Sequence, residues 1–289
     1  MDYSIRFPHL GLVFSHVPRS FTVFGYEIAL YGVVIALAML AGIALASCVA
    51  GRTGQDPDDY VSLALWGIVA ALIGARAYYV AFSWDYYSQH PAQILNLRGG
   101  GLAIYGGVIA GVITCVIFAR RRGRSVVTML DTGCLGLLIG QVIGRFGNFF
   151  NREAFGGYTD SLLAMQLPVS AVRASEITPE MQEHLVTLDG TTFIQVHPTF
   201  LYESLWNTAV LLILLHRTLR KGKAFEGEIF LLYVFFYGLG RMWIEGLRTD
   251  QLRLPGTDIA VSQVLAAVSA AAALGLLLWR RSRRAKTSE

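Results

Sequence analysis

The chain has 289 residues, of which 54% are hydrophobic and 15% are charged, and its mean hydropathy is +0.49. Soluble domains carry about 25% charged residues, so this composition excludes an ordinary soluble protein and favours one that crosses a membrane several times. The net charge of +4 reflects arginines that flank apolar segments, and it does not indicate a nucleic-acid partner. The three cysteines lie in apolar runs, a pattern that predicts neither disulfides nor a metal site.

Apolar segments long enough to cross a bilayer recur along the whole chain. A span needs about 20 apolar residues, and seven segments meet or approach this length: 28–50, 60–82, 101–119, 126–149, 198–215, 229–247 and 259–279. The fifth is the weakest because Glu203 interrupts it. We therefore predict an all-α polytopic membrane protein, in which residues 1–289 form a single transmembrane domain of about seven helices.

The connection between the fourth and fifth spans, residues 151–197, is predicted to be a small ordered insert outside the cytoplasm. Thr178 followed by Pro179 is typical of the start of a helix, and Asp189-Gly190 is typical of a tight turn.

The basic residues predict an orientation for the spans. The loops 51–59, 120–125 and 216–228 and the tail after residue 279 carry most of the Lys and Arg found between spans. The positive-inside rule places such loops in the cytoplasm. The amino terminus is then expected outside, and the carboxyl terminus in the cytoplasm.

The fourth span runs directly into a polar, glycine-rich stretch, GRFGNFFNREAFG at residues 144–156. Arg76, Arg145 and Arg241 each lie in the outward third of a different span, so three helices bring a guanidinium to one depth near the outer-leaflet headgroups. An ionisable residue inside a span is a candidate for function, and planar guanidinium groups bind phosphate well. The residues alone therefore indicate a protein that handles a phospholipid headgroup from the outer half of the membrane.

Other polar residues are expected at the same depth. Glu245 follows Arg241 by four positions, so both share a helix face. Glu203 and His197 lie at the outer end of the fifth span, and Tyr31 and Tyr105 at the outer ends of the first and third.

Three motifs resemble those of the bacterial prolipoprotein diacylglyceryl transferases. They are GRFGNFFNREAFG at 144–156, HPTFLYE at 197–203 and YGLGR at 237–241, the last followed by Glu245 and Arg248. The resemblance runs over nearly the whole chain. It implies a seven-span enzyme of the bacterial inner (cytoplasmic) membrane, with its amino terminus in the periplasm or outside. Such an enzyme moves the diacylglyceryl group of phosphatidylglycerol to the lipobox cysteine thiol of a preprolipoprotein, forming a thioether and releasing glycerol 1-phosphate. No cofactor is expected.

The resemblance also suggests roles for individual residues. Arg145 and Arg241 are expected to bind the phosphate, and Glu153 and Glu245 to orient them. Tyr105 and His197 complete the expected catalytic set. The expected substrate-binding residues are Tyr31, Arg76, Asn148, Asn151, Gly156, Glu203 and Tyr237.

Tyr105 departs from the family pattern, because the family often has histidine at this position. A tyrosine, with a pKa of about 10, is a poor base at neutral pH but a good hydrogen-bond donor. The acceptor of the thiol proton is therefore left open between His197 and a carboxylate.

Other interpretations remain at this stage. The chain could be a phospholipid transporter or flippase, since buried arginines also mark transport paths, although the charges gather at one face of the membrane. It could also be a non-catalytic lipid-binding scaffold. Arg145 could snorkel from a helix end, Arg76 could neutralise a buried carboxylate, His197-Pro198 could shape a helix start, and Tyr31 and Tyr105 could be interfacial aromatics. Arg248 and Arg253 are expected in solvent.

Overall fold

The computed structural model describes residues 4–97, 100–254, 256–257 and 259–287, and most of them are helical. The helices are α1 (Leu30–Arg52), α2 (Pro57–Phe82), α3 (Trp84–Tyr87), α4 (Ile104–Arg121), α5 (Val126–Gly144), α6 (Phe146–Asn151), α7 (Pro179–Glu183), α8 (Thr199–His216), α9 (Glu228–Leu247) and α10 (Val261–Thr287). The strands are β1 (Ile5–Phe7), β2 (Leu12–Phe14), β3 (Ser20–Val23), β4 (Tyr26–Ala29), β5 (Met165–Pro168), β6 (Val186–Leu188) and β7 (Thr191–Val196).

In the described part of the chain, six helical segments are long and apolar enough to cross a membrane: Leu30–Arg52, Pro57–Phe82, Ile104–Arg121, Val126–Asn151, Glu228–Leu247 and Val261–Arg284. They match six of the seven predicted spans. The remaining one, α8, forms a helix of 18 residues but lies outside this set, since Glu203 and Asn207 reduce its hydropathy. The polytopic, mostly helical fold is confirmed, and the count of seven stays a prediction.

Large apolar side chains point outward along these helices. Leu40, Trp66 and Val268 are more than 60% exposed. Such a surface would be unstable in water over this length, because exposed apolar area costs about 25 cal/mol per Å². The spanning helices are therefore built to contact lipid.

The chain divides into two compact units, one made of Met1–Gly42 with Leu135–Glu289 and the other of Ile43–Cys134. In the first unit, α1 packs closely on α5. A Cβ added to Gly42 would lie 2.8 Å from the carbonyl oxygen of Gly136. Gly140 and Gly144, one and two turns further along, meet Ala38 and Ile35. Glycines at every fourth position, Gly136, Gly140 and Gly144, predict that another helix can approach closely, and α1 does so here.

The first unit also contains an antiparallel sheet with the strand order β2-β1-β5-β7-β6. The amino-terminal strands thus join those of the 151–197 connection. The buried side chains beneath the sheet include Ile5, Leu167, Ile194 and Phe155, and Phe155 ties this small core to the glycine-rich stretch.

Local signals in the 151–197 connection act as the sequence suggests. The Thr178 hydroxyl accepts a hydrogen bond from the Met181 amide at 3.3 Å and caps α7. Asp189 and Gly190 both have positive φ, as a type I′ turn between β6 and β7 requires.

In the second unit, α2 and α4 meet at two glycines. A Cβ at Gly106 would lie within 2.3 Å of the Gly74 carbonyl oxygen, and a Cβ at Gly74 within 2.7 Å of the Gly106 carbonyl oxygen. Any larger residue would force the helices apart. The start of α2 is fixed by Asp56, whose carboxylate accepts the Asp58 amide at 3.0 Å.

Candidate functional site

A chain of ion pairs joins α8, α9 and the junction between α5 and α6. Glu203 is 4% exposed and lies between two guanidinium groups. Its Oε2 is 2.5 Å from Arg145 Nη2, and its Oε1 is 3.3 Å from Arg241 Nη1. Arg241 Nη2 continues to Glu245 Oε2 at 2.5 Å, which confirms the pairing expected from their spacing. We refer to Arg145 and Arg241 as the arginine pair.

The position of Arg145 follows from the glycines around it. Helix α5 ends at Gly144 and α6 begins at Phe146, so Arg145 lies at the junction. A Cβ at Gly147 would lie 2.7 Å from the ring of Tyr31, and only glycine lets that ring pack on the backbone. Tyr31, expected to bind substrate, is thus placed where it fixes the junction that carries Arg145.

The ion-pair chain extends beyond Glu245 to Arg248 and Asp250. The sequence did not predict this extension. Arg248 Nη1 is 3.7 Å from Glu245 Oε2, and Arg248 donates to both oxygens of Asp250 at 2.9 and 2.7 Å. The Ser262 hydroxyl donates to Glu245 Oε1 at 2.6 Å. The expectation that Arg248 lies in solvent is wrong, since its side chain is 13% exposed; Arg253 is exposed as expected.

Charge pairing outweighs burial at the end of this chain. Burial raises the pKa of Asp250, but the hydrogen bonds and charge of Arg248 leave it below its ordinary value. Burial lowers the pKa of Arg248, and Asp250 more than compensates. Both groups are therefore ionised at neutral pH. The sequence did contain a signal for the Glu245–Arg248 pair, because residues three apart lie close together on a helical turn.

The space beside the arginine pair is small. A cavity of about 10 Å³ is lined by Glu203, Arg241 and Tyr237 together with Trp206 and Asn207. About 10–15 Å³ is needed for one water, so a headgroup cannot enter between Glu203 and Arg241 in this arrangement. About one fifth of each arginine side chain is exposed, and a phosphate could contact the guanidinium groups only at this exposed part.

Gly156, expected to bind substrate, lies where three segments meet. Its amide donates to the His197 carbonyl at 3.0 Å, and a Cβ there would lie 2.7 Å from His197 Cβ and 2.8 Å from the Leu247 carbonyl oxygen. With its amide in use and no room for a side chain at Cα, Gly156 holds these segments close together.

His197 lies just before α8, where it was expected as a catalytic group. Its Nδ1 is 3.2 Å from the Tyr202 hydroxyl. Burial lowers the pKa of His197 below its ordinary value, so the imidazole is neutral at pH 7. A neutral imidazole can accept a proton.

Glu153 and Asn151 contact each other and not the arginine pair. Asn151 Nδ2 donates to Glu153 Oε1 at 3.2 Å, and Glu153 Oε2 is 3.8 Å from Arg173 Nη2. The carboxylate that contacts both arginines is that of Glu203, whereas the sequence predicted this contact for Glu153. Asn148 is half-buried, and its backbone links Arg145 to Glu153: its amide donates to Arg145, and its carbonyl accepts from Glu153.

Arg76, in the second unit, was expected to bind substrate, and the structure shows its guanidinium group bonded to the backbone. Its five N–H groups donate to five backbone carbonyls in residues 93–101, at 2.6 to 3.0 Å: those of Gln93, Ile94, Asn96, Gly100 and Gly101. A guanidinium group has five donors, so none is left for a phosphate. Arg76 therefore holds the loop that contains these carbonyls. Its partners are backbone carbonyls and not the buried carboxylate that the sequence analysis offered as an alternative.

Tyr105 lies in the first turn of α4 and is 43% exposed. A hydroxyl with this exposure can reach a ligand, or it can belong to an interfacial belt of aromatic residues.

Residues 18–279 match the family model described as prolipoprotein diacylglyceryl transferase. The chain belongs to this family. The ion-pair chain from Arg145 to Arg248 is therefore a feature of a prolipoprotein diacylglyceryl transferase. Arg145, Glu203 and Arg241 lie within the three motifs, and Glu245 and Arg248 follow the third.

Relatives over most of the chain carry names of the same kind. A protein of Clostridioides difficile (strain 630), named phosphatidylglycerol--prolipoprotein diacylglyceryl transferase, is 41% identical over 81% of this chain and 84% of its own length. A protein with that name from Bacillus mycoides (strain KBAB4) is 43% identical over 80% of this chain and 80% of its own length. One from Bacillus licheniformis is 41% identical over 87% of this chain and 87% of its own length.

Proposed function

We propose that this chain is a transferase that moves the diacylglyceryl group of phosphatidylglycerol to the thiol of a prolipoprotein's lipobox cysteine. The observation that carries the proposal is the buried carboxylate of Glu203, which holds Arg145 and Arg241 together. Those arginines lie in two motifs shared with the family, and relatives at about 40% identity are named for this reaction.

The reaction substitutes sulfur for oxygen at one carbon. The cysteine sulfur forms a bond to the glyceryl carbon that bears the phosphate ester, and the bond from that carbon to oxygen breaks. The bonding pair stays on the oxygen, so glycerol 1-phosphate leaves with an additional negative charge, and the thiol proton goes to a base. Fixed positive groups that face this developing charge lower the barrier most.

The arginine pair supplies those fixed charges. Arg145 uses Nη2 on Glu203, and Arg241 uses Nη1 on Glu203 and Nη2 on Glu245. Each guanidinium keeps further N–H donors for a phosphate that approaches from the exposed side. Because the carboxylates fix both groups beforehand, the protein does not have to reorganise during the reaction.

His197 is the proton acceptor in this proposal. Glu203 and Glu245 are each held by two arginines, so in this proposal both carboxylates serve to fix the arginine pair. His197 is neutral, its carbonyl accepts the Gly156 amide, and no carboxylate or guanidinium group of the described residues pairs with its imidazole.

A pH profile checks the role of His197. Its pKa is depressed from 6.5, so the imidazole becomes protonated, and useless as a base, only below that value. We expect kcat/KM to be level near pH 7 and to fall on the acid side with a midpoint below 6.5. His197→Gln should be slower by about 100-fold or more, as expected for loss of a general base, and should lack this acid limb. An unchanged limb in the variant would assign it to another group.

The chain lies in the membrane with several passes, and we propose the bacterial inner membrane as its location. The basic residues at the end of α10 (280–286) and between α8 and α9 lie on the cytoplasmic side in this proposal. The amino terminus, the 151–197 connection and the arginine pair then lie at the periplasmic side, where prolipoproteins emerge.

One incubation separates the transferase from the transporter and scaffold readings. Purified protein is mixed with phosphatidylglycerol labelled in its glycerol headgroup and a lipobox peptide. We expect a thioether-linked diacylglyceryl peptide and an equal amount of labelled glycerol phosphate. Movement of label between leaflets without thioether would favour a flippase, and binding without either product would favour a scaffold.

The cysteines of the chain itself are expected to be dispensable. Cys48 is exposed, and Cys115 and Cys134 are buried, while the attacking thiol comes from the substrate. Replacing all three by alanine should leave the transfer rate close to the parent value, measured per amount of membrane-inserted protein. Loss of transfer with normal insertion would indicate a covalent intermediate on the enzyme and would contradict the direct substitution.

Tyr105 is expected to act as a neutral hydrogen-bond donor. One neutral hydrogen bond contributes about 0.5–1.5 kcal/mol, so Tyr105→Phe should slow transfer by roughly two- to tenfold. Tyr105→His should keep much of the parent rate, since imidazole can donate from the same place, with little new pH dependence between about 6 and 8. Tyr86, an exposed aromatic of the same unit, is the control, and Tyr86→Phe should have no effect. A Tyr105→Phe protein as fast as the parent would leave this tyrosine as an interfacial aromatic.

A further inference from the structure

The hairpin formed by β3 and β4 lies immediately before the first spanning helix, and its two faces differ in polarity. Paired residues of antiparallel strands point to the same side, and side chains alternate along each strand. The register therefore places four apolar or aromatic side chains together, which we call the apolar face: Phe21, Val23, Tyr26 and Ile28. The opposite, polar face carries Ser20, Thr22, Glu27 and Ala29, and the Ser20 hydroxyl donates to Glu27 Oε1 at 2.5 Å.

The tip of the hairpin is an exposed phenylalanine in an unfavourable backbone conformation. Phe24 and Gly25 have φ values of 49° and 83°, as a two-residue type I′ turn requires. Asparagine or aspartate usually precedes glycine in such a turn, and a bulky residue with positive φ is strained. Phe24 is also 97% exposed, so packing within the protein does not account for it. A contact with an apolar phase outside the chain does.

The apolar face extends this surface away from the tip. Tyr26 is 76% exposed, and Phe21 and Ile28 are exposed as well. Contiguous exposed apolar side chains with polar groups around them mark a surface that contacts a protein or a membrane. The hairpin therefore has a face that needs a partner.

Continuity with α1 identifies the membrane as that partner. The Leu30 amide donates to the Arg19 carbonyl at 2.8 Å, so the hairpin closes at the first residue of α1. That helix is long and apolar enough to span a membrane, and its Leu40 is among the exposed side chains that contact lipid. A strand of four residues is about 13 Å long, at about 3.3 Å per residue, so the tip stays close to the membrane surface.

We propose that the hairpin inserts its tip and its apolar face into the interfacial region of the bilayer, where aromatic side chains are favoured. The polar face then points to water and headgroups, and in the proposed orientation the contact is with the outer leaflet. The hairpin is attached to the segment that carries the arginine pair, because Tyr31, the second residue of α1, packs on Gly147. The contact is a lipid-binding surface outside the ion-pair chain, and it does not depend on the transferase function.

Measuring the depth of single residues tests the proposal. A fluorescent amino acid replaces Phe24, Tyr26 or Thr22 of the full-length chain, one position at a time, and each protein is placed in phosphatidylcholine nanodiscs. Some of the lipid carries a nitroxide near the glycerol end of its acyl chain, which quenches fluorophores at interfacial depth. We expect strong quenching at positions 24 and 26, since interfacial segments lie about 5–10 Å into the boundary between headgroups and acyl chains. Position 22, on the polar face, is the matched control and should be quenched little.

A substitution at the tip separates lipid contact from the stability of the hairpin. Asn-Gly is a preferred type I′ turn, so Phe24→Asn favours the turn while it removes the apolar tip. Burial of one Phe side chain shifts an equilibrium by about ten- to hundredfold, so quenching at position 26 should fall to the level at position 22. Phe24→Leu keeps an apolar tip and should keep the quenching at position 26.

Two results would overturn the proposal. One is equal quenching at positions 22 and 26 in the protein with Phe24 intact, because an inserted apolar face requires a difference in depth. The other is shielding of positions 24 and 26 from a water-soluble quencher without quenching by the lipid nitroxide, which would mean that protein covers this face, either a second copy of the chain or a peptide substrate. These measurements do not use the transfer assay, so failure here and failure of the proposed function are distinguishable.

Discussion

Replacing Arg145 or Arg241 by lysine is expected to slow diacylglyceryl transfer by about ten- to hundredfold. Lysine keeps the positive charge but loses the planar fork. Arg241 uses that fork to hold Glu203 and Glu245 at once, which a single ammonium group cannot reproduce at both distances. One charged hydrogen bond contributes about 1.5–3 kcal/mol, which gives this range if it forms only in the transition state. The effect should appear in kcat, measured as thioether formed per amount of inserted protein.

Arg217 provides the control for the lysine variants. Like Arg241, it pairs with a buried glutamate: Arg217 Nη2 is 3.0 Å from Glu228 Oε2. Glu228 is the first residue of α9, whereas Arg241 lies near the other end of that helix. Arg217→Lys should lower stability slightly and leave kcat unchanged. If Arg145→Lys and Arg241→Lys turn over like Arg217→Lys, the arginine pair anchors helices and does not stabilise the leaving phosphate.

The helices could be predicted from sequence because each span carries its own signal. Hydropathy identified the six helices that are long and apolar enough to cross a membrane, and the glycine spacing along α5 identified its packing face against α1. The sheet gave no comparable signal. Strand β1 has three residues and pairs with β5, about 160 positions away, and its stability comes from a core that forms only once both segments are folded.

Residues of the candidate site were identified more reliably than their partners. Motif position singled out Arg145, Arg241 and Glu203, but pairing across helices depends on rotation and depth, which sequence spacing does not fix. The pairs Arg241–Glu245 and Glu245–Arg248 were predictable from spacing, because their members are four and three residues apart. The partners of Arg76 could not be predicted either, because they are backbone carbonyls, which have no side-chain signature in the sequence.

The substitution Glu203→Gln is expected to lower kcat more than the loss of a single substrate contact would. In Glu203→Gln, one carbonyl oxygen replaces a carboxylate that holds two arginines, and the amide N–H₂ group faces a guanidinium. Breaking a buried ion pair costs about 3–5 kcal/mol of stability. Because the arginine pair then loses its fixed spacing, kcat should fall by at least about 100-fold, with a smaller change in KM. In a double-mutant cycle, Glu203→Gln combined with Arg145→Lys should cost less than the sum of the single effects, since both disrupt one interaction.

Glu228 separates this positioning role from a merely structural one. It is fully buried and lies between two arginines, with Arg217 Nη2 at 3.0 Å and Arg281 Nη2 at 2.6 Å. The two glutamates thus have the same chemistry at different places in one unit. Glu228→Gln should lower the thermal stability about as much as Glu203→Gln does, yet the protein that remains folded should transfer at the parent rate. Equal loss of kcat in both variants would mean that Glu203 only supports the fold, and a faster Glu203→Gln enzyme would mean that its carboxylate competes with the phosphate for the arginine pair.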